Sequence, residues 1–236
     1  MRKPAPIDRF IAALAGFSRP RVFNPWAEFD RANDFGPEAP AIRRDHLRRY
    51  LAERVGRARL LLIAEAAGYQ GCKFSGIAMT SERQLAASPS TGSDFFEGTK
   101  RRTSRETVRP AGFTEPTATI VWGKMLEAGL QGRDWVNWNT FAWHPQGATA
   151  LANRTPTPQE LTAGLPALQI FLLLFPEVPI VAVGDKARGA LEELGVPVVA
   201  AVRHPANGGA TKFREGISRV LASAPSPPPS PKGEGR

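Results

Sequence analysis

The 236-residue chain has a single cysteine, Cys72. That excludes an intramolecular disulfide and any zinc or iron–sulfur site built on several thiolates. Cys72 itself reads as a small packed loop residue, since a nucleophilic role needs an activating base beside it. Long apolar runs are also scarce. The longest, Leu168 to Phe175, is broken by Gln169 and falls far short of the roughly 20 residues that span a bilayer. The N-terminal MRKPAPIDRFIAALAGF has only a short apolar stretch interrupted by charge, a poor signal peptide. A soluble, cytoplasmic protein with no membrane partner is therefore expected. Nucleotide signatures are missing too. GYQGCKFSG lacks the Lys-Ser/Thr ending of a phosphate loop, and no early helix makes it a dinucleotide fingerprint. No two histidines share a helix turn, so neither a metal nor another cofactor is expected.

What the chain does have is positive charge. Lys and Arg number 31 against 22 Asp and Glu, a formal net charge of +9. Such an excess suits a polyanionic partner, nucleic acid or an anionic membrane. A GC-rich genome, which favours Arg, produces the same excess. The length suits one α/β domain with a large core. No internal repeat is present, and nothing in the sequence signals oligomerisation, so a monomer is expected.

Three regions are expected. Residues 1–41 hold a short amphipathic helix, Ile7 to Phe17, and an irregular segment rich in Pro, Asn, Asp and aromatics, packed on the body. Residues 42–223 form the main domain, and the Pro-rich residues 224–236 a disordered tail. Ile42 to Val55 has helical spacing, with Leu47, Tyr50, Leu51 and Val55 apolar. Its Arg43, Arg44, Arg48, Arg49 and Arg54 read as a solvated face or, alternatively, a phosphate-contacting stripe. Ser88 to Gly112, with GTKRRTSRETVR, reads as an exposed, mobile basic loop, either a plain charge run or a DNA-backbone contact.

Arg59–Ala64, Asp134–Asn139, Pro179–Gly184 and Pro197–Arg203 are apolar runs that alternate with helical segments. One of these helices starts at Thr157, with Pro158 in its first turn and Glu160 completing a capping box. The alternation predicts a three-layer α/β/α fold around a central four-stranded parallel sheet. Ligands bind such sheets outside the C-terminal strand ends. AEAAGYQGC, NTFAWHP and RHPANGG all lie there, and bring Glu65, Glu82, Asn139, His144 and His204 to one edge with Tyr69 and Met79 beside them. Both His144 and His204 precede a proline, which restricts them to extended backbone.

The stretch AEAAGYQGCKFSGIAMTSE resembles motif 1 of the uracil-DNA glycosylase superfamily, written GEAPG in its family 4 branch. RHPANGG resembles motif 2, which opens with His-Pro. WNTFAWHP falls where the family carries the asparagine that reads uracil. The resemblance runs from about Arg59 to Leu221 and implies an enzyme that flips uracil from DNA and hydrolyses its glycosidic bond, leaving an abasic site. A non-catalytic binder of uracil-containing or abasic DNA on the same fold is the alternative. The resemblance implies Asn139 as the uracil reader and His204 as the donor to the developing charge on O2.

For the carboxylate that serves water or the sugar cation, Glu65 matches the family 4 glutamate, and Glu82 matches an aspartate of family 5. Ala66 stands where the family 1 pattern GQDPY has its aspartate, and Met79 where the family stacks a phenylalanine on uracil. Ala64 and Ala67 replace the first glycine and the proline of GEAPG. Gly68 aligns with the tyrosine that excludes thymine, with Tyr69 adjacent as its substitute. Pro205, Asn207, Gly208 and Lys212 are expected against DNA. The family 4 iron–sulfur cysteines are absent, so the resemblance is to a divergent branch.

Overall fold

The computed structural model describes residues 5–87 and 95–223. The expected tail at 224–236 and the first residues of the basic loop lie outside them. Helix α1, Pro6–Ala15, is followed by a two-residue strand β1, Val22–Phe23, and helix α2, Ala39–Ala52. Strand β2, Leu60–Ala66, leads into a short helix α3, Cys72–Ser75, then α4, Glu82–Ala87, and α5, Pro116–Glu127. Strand β3, Trp135–Phe141, and the two-residue β4, His144–Pro145, precede helix α6, Pro158–Leu173. The chain closes with β5, Ile180–Val183, α7, Asp185–Glu193, β6, Ala200–Val202, and α8, Ala210–Ser223.

Four of the strands form one parallel sheet in the order β3-β2-β5-β6. Leu61, Leu62 and Ile63 of β2 are buried, as are all seven residues of β3. Continuous apolar runs of this kind need cover on both faces. On one side Trp138 of β3 stacks on Phe171 of α6 (4.7 Å between centroids) and meets Phe10 of α1 (5.2 Å). The α6 capping box forms as the sequence predicts, Thr157 accepting from the Glu160 N–H and Glu160 from the Thr157 N–H.

β3 is a sheet edge, and α2 covers it. The Tyr50 hydroxyl accepts the Asn137 N–H at 2.8 Å, and the Arg54 guanidinium donates to the carbonyls of Trp135, Gly132, Tyr50 and Phe95. An edge strand with unpaired amides invites association, and these side chains satisfy it instead. This corrects the solvated reading for two of the arginines of α2 and the turn after it. Arg43 and Arg54 are fully buried. Arg43 pairs with Asp34 and donates to Pro25 and Glu28 carbonyls. Arg48 and Arg49 are the half-exposed ones, each paired with an aspartate.

The basic loop is corrected only in part: Phe95, Phe96, Thr103 and Ser104 are buried, while Arg101, Arg105 and Arg109 are exposed as expected. Arg102 spends its guanidinium on carbonyls of its own loop, those of Ser104 (2.7 Å), Pro110 (2.7 Å) and Arg105 (3.0 Å). β6 is shorter than the expected Pro197–Arg203, because its one neighbour is the four-residue β5 and its register runs from Val181–Ala200 to Val183–Val202. The sequence also gave no sign that β1 pairs antiparallel with β4, Phe23 opposite His144, tying the N-terminal segment to the loop after β3.

Candidate active site

A cavity of about 410 Å³ opens at the C-terminal edge of the sheet. Volumes of about 300–1,000 Å³ are those in which proteins enclose small ligands. The end of β2 provides one wall through Ala64 to Gly68, and the loop before α8 provides the opposite one through His204 to Asn207. Asn139 and Met79 line it, as do Glu115 at the start of α5 and Asn153 and Arg154 from the loop before α6.

The parallel register sets Asn139 beside Ala64. Asn139 is almost wholly buried. With its amide turned to satisfy both ends, Oδ1 accepts from the Ala67 N–H and Nδ2 donates to the Trp138 carbonyl, 3.3 Å each. A primary amide has two N–H groups and two acceptor sites. One of each is thus fixed by the scaffold, and one of each is free for a ligand.

His204 follows β6. Its Nδ1 accepts the Ala206 N–H at 3.1 Å. Burial, with Arg203 adding to it, pulls the imidazole below its ordinary value of 6.5. It is therefore neutral at pH 7, and with Nδ1 acting as acceptor the proton sits on Nε2. The result is a fixed neutral donor. Two glycines make this placement possible. A Cβ at Gly209 would overlap the His204 carbonyl, and one at Gly184 would stand 3.1 Å from the His204 Cβ.

Met79 holds a left-handed backbone, φ 45°, which is uncommon for a residue with a side chain. Its carbonyl is locked by the Trp122 Nε1–H at 3.0 Å. Glu65 is 29 % exposed and faces Lys186 of α7 at 3.4 Å. Its backbone carbonyl accepts the Thr140 hydroxyl at 2.8 Å.

Of the residues singled out in the sequence, Glu65, Ala66, Met79, Asn139, His204, Pro205 and Asn207 line this one cavity. Glu82 does not. It is 2 % exposed and accepts from the Thr103 N–H (2.6 Å), the Ser104 N–H (2.9 Å) and the Ser104 hydroxyl. Its carboxylate is spent on holding the basic loop. Tyr69 lies outside the cavity as well, its N–H on Asn153 Oδ1 (3.0 Å) and its ring edge-on to Phe113. Gly208 (φ 72°) and Lys212 are exposed beyond the cavity mouth. His144 is fully buried, with Nδ1 donating to the Ala67 carbonyl at 3.0 Å, and burial, then Lys73, pulls it down to about 4. It supports the β2 loop from below.

No protein-family model matches the chain, and no curated protein matches it in sequence. A solved structure does match. It is wild-type SMUG2 of Pedobacter heparinus, similar over 92 % of this chain and 99 % of that one, with a TM-score of 0.61 and 13 % identity. The three-layer α/β/α fold with its four-stranded parallel sheet is thus the uracil-DNA glycosylase-like one that the motifs imply.

Two charged residues of the cavity wall, Glu115 and Arg154, are not marked as site residues by the sequence. Arg154 makes a two-pronged ion pair with Glu160 (2.6 and 2.7 Å), so the capping-box acid also anchors the wall. Glu115 precedes Pro116 and reads as an ordinary helix start, yet its side chain makes no capping hydrogen bond. Burial pushes its carboxyl up to about 7. Among the described residues no three of His, Cys, Asp and Glu are grouped as metal ligands.

Proposed function

We propose that this chain is a DNA glycosylase that turns uracil out of the stack into the cavity and hydrolyses its bond to the sugar. The observation that carries the reading is that one cavity is lined by both a half-satisfied amide on β3 and a fixed neutral imidazole donor after β6. Inside a duplex the glycosidic bond is out of reach, so the base must leave the stack. The free N–H and free acceptor of Asn139 suit O4 and N3–H of uracil. Cytosine presents the reverse pattern on that edge and would leave Asn139 facing a donor with a donor, a mismatch a buried site penalises heavily.

The C1′–N1 bond breaks with its electron pair passing to the base, which leaves as an anion. Nε2–H of His204 meets the charge that develops on O2, a fixed donor that needs no reorganisation. The Glu65 carboxylate supplies negative charge toward the cationic sugar, and Lys186 holds that carboxylate in place. Met79 packs on the base. Pro205 and Asn207 at the mouth, with Gly208 and Lys212 beyond it, follow the DNA strand. Water adds to C1′, and the product is an abasic site.

With enzyme in excess, the protein should release free uracil from a uracil-containing oligonucleotide. His204→Ala and Asn139→Ala should each slow release by roughly 100- to 1,000-fold. Absence of release from both single- and double-stranded substrate would refute the catalytic reading. If abasic duplex were then still bound tightly, the protein would be a damage binder on this fold, a reading favoured by Ala66 in place of an acidic residue.

A further inference from the structure

The carboxyl of Glu115 has no task in the fold. It stands at the N-cap position of α5, where a side chain ordinarily accepts an N–H of the first turn, and it accepts none. Its Oε2 is buried without a hydrogen-bond partner. Buried polar atoms are nearly always paired, so an unpaired carboxyl oxygen in a cavity wall marks a place where something else binds. The motif 1 loop leaves room for it. A Cβ at Gly71 would overlap the carboxyl, and one at Gly68 would stand 3.6 Å from Oε1. The same cavity is lined by Glu65, Asn139 and His204.

We infer that Glu115 is a catalytic base of this site, taking the proton of the water that adds to C1′. The inference rests on the glycosylase reading above and divides the work between two carboxylates. Glu65 is exposed enough to be solvated and is offset by Lys186. Glu115 is half-buried, with Oε2 buried and unpaired, the better proton acceptor. As the water oxygen bonds to C1′, one water proton passes to Glu115. The base departs as the anion, so charge and atoms balance. The titratable and charged groups around Glu115 are Cys72 of α3, whose thiol burial and then Glu115 keep protonated, and, around the cavity, Glu65, Arg154 and His204. Desolvation is what raises Glu115 toward neutrality, where a general base is most effective.

The test is single-turnover uracil release from about pH 5.5 to about pH 9 by wild type, Glu115→Gln and Glu65→Gln, with binding to an abasic-analogue duplex measured alongside. Wild type should accelerate with pH up to an inflection near 7. Glu115→Gln should be slower by about 100-fold at pH 8 and lack that inflection, while its duplex binding stays within about threefold of wild type. Glu65→Gln should be slower but keep the inflection. Release by Glu115→Gln at close to the wild-type rate with the inflection intact would overturn the base. So would a flat wild-type profile between about pH 6 and 8, which needs no variant to fold. No release by wild type at any pH would instead overturn the glycosylase reading, and the base with it.

Discussion

Glu115 also leaves a mark on stability, because a group that titrates differently in the folded and unfolded states couples folding to pH. Unfolded, its carboxyl releases its proton near 4.5; folded, it holds the proton to about 7. Between those values the folded state binds more protons than the unfolded one, so this contribution to stability falls as pH rises through the window. The full loss, complete above about pH 7, is on the order of 3 kcal/mol. Glu115→Gln stays neutral throughout. Urea unfolding should therefore find the variant more stable than wild type at pH 8, by about 2–3 kcal/mol, with little difference near pH 4.5. Equal pH slopes for the two proteins would show that the carboxyl is not dry. An unfavourable group kept in a cavity wall is what a functional site looks like energetically.

At the scale of elements, the strands were legible because a run such as LLLIA admits few alternatives, and the α6 start because its capping box is local in sequence. Asn139 and His204 were legible as strand-end residues next to recognisable loops. What could not be read depended on distant partners. The stretch from Phe95 to Gly112 looks like a charge run until Glu82, 21 and 22 residues before them, is seen to accept the Thr103 and Ser104 amides. Arg43 and Arg54 look like surface charge until Asp34 and the β3 edge take them up. Glu115 reads as a cap because its burial is made by the glycine loop of another segment. The role of Glu82 can be tested directly. Glu82→Ala should lower the unfolding free energy by about 2–4 kcal/mol, the scale of losing several hydrogen bonds to one buried charge. Single-turnover uracil release by the folded variant should stay within a few-fold of wild type. A loss of release with stability unchanged would make Glu82 a site residue instead.

For the molecule as a whole, the net charge of +9 is reached although several cations are consumed internally. Arg43, Arg54 and Lys73 are buried in the body. The cations that the proposed function sets against DNA are exposed ones, Lys212 among them. Binding to a uracil-containing duplex should accordingly weaken with salt, by roughly 100-fold between about 50 and 200 mM, as counterion release from a few phosphate contacts requires. A titration by fluorescence anisotropy at several salt concentrations measures this. Salt-insensitive binding would argue against a DNA-backbone grip. Among the described residues no helix is long and apolar enough to cross a membrane.

The parallel sheet that brings β2 and the loop after β6 to one cavity also sets a schedule. Strand β2 ends at Ala66, and the imidazole donor is residue 204. At a ribosomal rate of about 5–20 residues per second, the first wall is made roughly 7–28 seconds before the second. Until β5, Ile180–Val183, has been made late in that interval, β2 lacks its neighbour on that side, and its apolar edge is open to other chains. The nascent protein thus passes through a stage in which it can aggregate but its cavity is still incomplete. Its vulnerability during synthesis and the late completion of its cavity come from the same strand order.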